Sequence, residues 1–105
     1  MTGEALKGHL DLLLLAILAE GPAHGYAVIE SLRQSSGGLF DLPEGTIYPA
    51  LHRLEAQGLL QSHWQNDAPR RRRVYELTAK GQQALVKRQQ EWQIFLNAVN
   101  ATVGI

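Results

Sequence analysis

The stretch from Glu44 to Gly58, EGTIYPALHRLEAQG, limits the fold most tightly. At helical spacing Ile47, Leu51 and Leu54 fall at i, i+4 and i+7 and make one apolar stripe. The opposite side holds Pro49, His52, Arg53 and Ala56, with Thr46, Tyr48 and Gln57 on its flanks. That side carries no carboxylate, because Glu55 falls near the buried edge. A guanidinium, an imidazole, hydroxyls and small residues on one carboxylate-free face suit a groove of DNA. Such a face is equally that of an ordinary amphipathic helix turned to water. Pro49 is expected in or beside the first turn, where a missing N–H costs little. Gly58 is expected to end the helix in the left-handed conformation.

The 105 residues suffice for one domain with a modest core. Ten basic and ten acidic residues balance, yet their distribution is uneven. Residues 1–42 carry two basic against five acidic side chains, and residues 43–88 carry eight against four. A neutral chain of this kind can still present a basic face to phosphates. The absence of cysteine excludes a disulfide frame, a thiolate nucleophile and a cysteine-based zinc site. It fits a reducing, cytoplasmic setting. The apolar run Leu12 to Ala19 is too short to span a membrane. Glu4, Asp11 and the Ala19-Glu20-Gly21 sequence do not fit a secretory leader.

A first helix is expected over Leu6 to Ala19, ended by Gly21-Pro22. Leu12 and Leu15 widen its stripe until it is apolar nearly all round, which calls for cover from a second subunit. Gly25 to Ser36 reads as a second helix with Tyr26, Ile29, Leu32 and Arg33 on one side and Val28 broadening that stripe. His24 and Tyr26 lie at its start, where unpaired N–H groups favour a phosphate; Tyr26 equally suits a half-buried core position. After Gly58, Leu59 to Trp64 and Val74 to Thr78 alternate as two strands of a hairpin. Asn66-Asp67-Ala68-Pro69 and Arg70 to Arg73 join them, with Arg70, Arg71 and Arg72 as phosphate contacts and Arg73 as a structural residue. A solvated basic loop is the other reading of this run. Thr78 caps a last helix over Ala79 to Thr102, about 36 Å long at 1.5 Å per residue. Leu85, Trp92, Leu96, Val99 and Val103 form a narrow seam on it, like that of a coiled coil.

Three helices, a strand, a basic loop, a strand and a long helix give a mainly α chain with a small β-hairpin wing. This is the order of a winged helix-turn-helix (residues 1–78) followed by a C-terminal dimerisation helix (residues 79–105) in the same compact unit. His24-Gly25-Tyr26, the run Gly45 to Glu55, Gly58-Leu59-Leu60 and the run Arg72 to Gly81 resemble the PadR family of bacterial transcriptional regulators. The resemblance covers most of the chain, from about Leu10 to Gly81, and the length is similar to the short subfamily with a single C-terminal helix. The wing is more arginine-rich than in many of that family. The resemblance implies a homodimeric repressor, joined through the first and last helices, on an inverted repeat of double-stranded DNA in a promoter. It also implies a response to phenolic or flat aromatic compounds, and it matches Thr46, Tyr48, Pro49 and Arg53 to the DNA-facing block.

In that arrangement Leu12, Leu15, Leu85, Trp92, Leu96 and Val99 form the dimer interface. Trp92 near a two-fold axis, with Leu96, frames a slot for a planar aromatic effector, or simply fills the dimer core. No cofactor or metal is implied. His9, His24, His52 and His63 are scattered, and no catalytic order of residues stands out, which argues against an enzyme. The alternative to a DNA-binding regulator is a dimeric winged-helix module that binds another protein.

Overall fold

The computed structural model describes residues 8–66 and 71–105. Four helices and three short strands follow one another: α1 (Leu10–Leu18), β1 (Ala23–His24), α2 (Gly25–Ser35), α3 (Glu44–Ala56), β2 (Leu60–Gln65), β3 (Arg72–Leu77) and α4 (Ala79–Val103). The sheet is antiparallel with β3 in the middle, in the order β1-β3-β2. The wing is therefore the β2–β3 hairpin, with Ser62 opposite Tyr75 and Trp64 opposite Arg73. β1 was not foreseen, because two residues show no periodicity. It holds Ala23 against Tyr75 and His24 against Val74, and so ties the start of α2 to the wing.

The first helix begins at Leu10, after a turn at Gly8 and His9, and ends at Leu18; Leu6 and Lys7 of the expected helix lie outside the described residues. Asp11 in its first turn complements the positive end of the helix. α1 is central, touching α2, α3, α4 and β3. Leu14, Leu15 and Leu18 are buried against Val28, Leu32, Ile47, Leu51 and Leu54. Burial of each such leucine stabilises the fold by about 1.5–3 kcal/mol. Tyr26 departs from the expected α2 stripe, being exposed, whereas Leu32 and Val28 are buried as that stripe requires.

α3 buries Ile47, Ala50, Leu51 and Leu54, so the expected stripe is present with Ala50 added. Pro49, however, lies beyond the first turn, inside the helix. Its missing N–H leaves the Gly45 carbonyl without its regular i+4 donor. The end of α3 is as expected. Gly58 takes φ +79°, its N–H bonds the Glu55 carbonyl at 2.9 Å, and the Leu59 N–H bonds the Leu54 carbonyl at 3.0 Å. That pair of bonds is the left-handed helix cap that glycine permits, with Leu54 and Leu59 both in the core.

The cap is fastened to α4. The Thr78 hydroxyl accepts from the Gly81 N–H at 3.0 Å and donates to the Gly58 carbonyl at 2.7 Å. The Lys80 ammonium donates to the Gln57 carbonyl at 3.0 Å, and the Thr78 N–H donates to the Leu59 carbonyl at 3.1 Å. Gly81 is buried here, and a Cβ on it would overlap the Leu59 carbonyl oxygen. It is a close-approach residue. Beyond Leu85 α4 leaves the core; Ile94, Phe95 and Val103 are exposed at 71%, 53% and 61%. Gly81→Ala is expected to destabilise the fold by about 1–3 kcal/mol, as forced overpacking does, since the opposing atom is backbone. Urea unfolding followed by circular dichroism measures it.

Candidate nucleic-acid interface

The outer side of α3 presents Thr46, Pro49, His52, Arg53 and Ala56 to solvent. Tyr48 differs from the expectation of a free flank residue: it is half-buried, packed against the core at the α2–α3 joint. A Cβ on Gly25 would fall inside its ring, so glycine at this position lets the two helices meet. The His24-Gly25-Tyr26 triplet thus has three separate tasks. His24 caps α2, its Nδ1 accepting from the Ala27 N–H at 3.3 Å. Gly25 makes room for Tyr48, and Tyr26 projects outward, 58% exposed.

The cap has a chemical consequence. Because Nδ1 accepts, the neutral ring carries its proton on Nε2. That Nε2 lies 3.3 Å from Nη1 of Arg72. With that tautomer two donors face one another across this short gap.

An open groove of about 590 Å³ runs between α3 and the wing, lined by His24, Tyr26, Glu44, Tyr48, His52, Trp64, Arg71, Arg72, Arg73 and Tyr75. Glu44 corrects the carboxylate-free picture of this side, since it reaches the groove from the first turn of α3. Glu55 is bound instead. Its Oε2 accepts from the Ser62 hydroxyl at 2.5 Å and lies 3.7 Å from Arg73. Arg73 also donates through Nε to Ser62 at 2.8 Å, so it joins β2, β3 and α3 as a structural residue.

Arg71 and Arg72 are exposed. The Arg71 guanidinium stacks 4.3 Å from the Trp64 ring centre, and its Nε donates to the Asn66 side chain at 3.1 Å. Trp64, half-exposed in this groove, was not among the expected site residues. Its signal was an aromatic residue on an otherwise polar strand beside four arginines. Arg70 lies outside the described residues. Arg53 is not free: on the flank of α3 turned to α1, it pairs with Asp11 at 2.5 Å.

The expected interface residues divide. Leu15 and Leu85 are buried inside the protomer's own core and have no surface to offer a partner. Leu12 and Leu96 are half-buried, whereas Trp92 and Val99 are exposed at 37% and 38%. A hollow of about 310 Å³ lies between α1 and α4, lined by Gly8, His9, Leu12, Arg88, Glu91, Trp92 and Phe95. His9 stands edge-on to Trp92 at 5.2 Å between ring centres, and Phe95 lies 5.9 Å from Trp92. His9 and Phe95 were missed because neither falls on the narrow seam. Among the described residues no cluster of metal-ligating side chains occurs, and no helix is long and apolar enough to cross a membrane.

Helices, hairpin wing and long terminal helix together define a winged-helix architecture of the kind found in DNA-binding regulators. Residues 14–87 match the transcriptional regulator PadR-like family, and the chain belongs to it. It is similar to the transcriptional regulator Rv3488 of Mycobacterium tuberculosis, 38% identical over 84 residues that cover 80% of this chain and 76% of that one. Among solved structures, a PadR family transcriptional regulator from Eggerthella lenta superposes with a TM-score of 0.84 at 34% identity, covering 95% of this chain and 86% of that one. A transcriptional regulator from Clostridium thermocellum gives 0.87 at 27% identity, covering 96% of both chains. The family consists of transcriptional regulators, not enzymes.

Burial first, and then Glu44, raises the Tyr48 hydroxyl above the ordinary tyrosine range; burial first, and then Glu55, does the same for Tyr75. Unfolded tyrosines therefore ionise before these two. Their contribution is intact below about pH 10 and is lost as pH rises through that value towards the folded pKa. The thermal midpoint is expected to fall across this alkaline window. Tyr75→Phe should make the fall shallower, as read by circular dichroism melting.

Proposed function

We propose that this PadR-family chain is a cytoplasmic homodimeric repressor of a promoter inverted repeat, released by a planar aromatic effector. The observation that carries the DNA reading is that α3, through Tyr48 and the exposed His52, and the wing, through the exposed Arg71 and Arg72, line one open groove. In this reading α3 enters the major groove, with Thr46, Pro49, His52 and Arg53 at the bases and their edges. Tyr48 contributes by setting the angle between α2 and α3 and by offering a neutral hydroxyl at the groove wall. His24, Arg72 and Tyr26 hold one phosphate region, and Arg70 and Arg71 hold the flanking backbone.

Residues 1–78 then form the DNA-binding part, and residues 79–105 form the dimerisation helix. Dimerisation is supported by the exposed apolar side of α4, where Trp92, Phe95 and Val99 lie beyond the protomer's core. The effector would sit in the hollow beside Trp92, with Leu96 next to it and His9 and Phe95 as further aromatic walls. A cluster of three aromatic rings in the lining suits a flat aromatic guest.

A gel shift at two salt concentrations tests the DNA reading. Binding should weaken steeply with salt, and Arg71→Ala and Arg72→Ala should each lower the log–log slope by about 0.9. A protein-binding module would show no such slope. Arg53→Ala should relax base preference by about 1–3 kcal/mol if its contact is bidentate. For the effector, titration with planar aromatic compounds should quench or shift Trp92 fluorescence and lower DNA affinity in parallel. A Trp92 signal that ignores a wide panel of such compounds would remove that part of the proposal.

A further inference from the structure

Arg53 is the only arginine on α3, and it is held by a residue from another helix. Its Nη2 lies 2.5 Å from Oδ1 of Asp11 in the first turn of α1. The second oxygen of the same carboxylate, Oδ2, lies 3.8 Å from Nη1 of Arg88 on α4. One carboxylate is thus shared by two guanidinium groups from two different helices. The Asp11 side chain is 19% exposed, against 50% for Arg53. The carboxylate sits back towards the protein, and the guanidinium sits in front of it.

We propose that Asp11 is a specificity-determining positioning residue, which holds Arg53 for a base edge and away from nearby phosphates. The proposal rests on Arg53 being a base-reading residue. An unrestrained arginine beside DNA reaches whichever phosphate is nearest, a contact that carries no sequence information. The bond to Asp11 uses one hydrogen of Nη2 and leaves the other guanidinium donors free. It also removes part of the side-chain freedom that a bidentate contact would otherwise have to lose. The negative charge behind Arg53 opposes close approach of any phosphate and so weakens binding to all sequences alike. Discrimination is gained at the expense of affinity. Arg88 keeps the carboxylate in place from the far side.

The test uses the full chain and two duplexes: one selected from random-sequence DNA by the unaltered protein, and a scrambled duplex of equal length and composition. Asp11→Asn keeps the shape of the side chain, and a half-exposed ion pair contributes little to folding, so this variant should fold normally. It should bind the scrambled duplex more tightly, with the salt slope steepened by up to about 0.9 as Arg53 takes a phosphate. Its preference for the selected duplex should fall by about fivefold or more, the lower end of what one bidentate base contact provides. Asp11→Glu should retain most of the preference. Arg88→Gln should reproduce a smaller loss. In an Arg53→Ala background, Asp11→Asn should change the preference no further.

Unchanged preference in Asp11→Asn, or an equal loss with and without Arg53, would overturn the proposal. Full preference in Arg53→Ala alone would remove the premise and the proposal with it. The salt dependence set by Arg71 and Arg72 would then still stand as evidence for DNA binding.

Discussion

The Leu59 carbonyl is the point on which the architecture turns. Four elements meet there: α3 ends, β2 begins, β3 ends and α4 begins. The oxygen accepts the Thr78 N–H, and the α4 backbone passes so close that only glycine fits at position 81. Thr78 and Lys80 occupy the neighbouring carbonyls of Gly58 and Gln57. Carbonyls at and just past one helix end are thus used to seat the next helix. No buried side-chain polar atom among the described residues lacks a partner, so the cost of misplacing this corner is not offset elsewhere.

The arginines divide by the company they keep. Arg73 and Arg53 are bound by carboxylates supplied from other elements, Glu55 and Asp11. Arg71 rests on an aromatic ring, and Arg72 faces the donor edge of His24. The described arginines of a run that looks uniform in the sequence are therefore a strut, a stacked guanidinium and one set against an imidazole. Local partners, and not charge alone, set where each guanidinium lies.

Much of this was legible in the chain. The 3.6-residue pattern of Ile47, Leu51 and Leu54 located α3, and Gly58 located its end, because both follow from local chemistry. Alternation in Leu59 to Trp64 and Val74 to Thr78 located the wing to within two residues at each end. What was hidden depends on contacts distant in sequence. The pairing of Arg53 with Asp11, 42 positions away, has no periodic signature. Neither has the need for glycine at positions 25 and 81, which is set by Tyr48 and Leu59. The burial of Leu15 and Leu85 was misjudged for the same reason: the central α1 is covered by its own domain, and the first turns of α4 lie in that same core.

The contact between Gly25 and Tyr48 sets a mechanical limit. With no atom to spare between the ring and the α2 backbone, α3 has no room to tilt towards α2 by itself. β1 fastens the same end of α2 to the sheet, so helix pair and hairpin form one stiff block. A displacement of α1 or α4 therefore reaches the two helices and the hairpin together, like a paddle turned on its axle, and not as a bend within them.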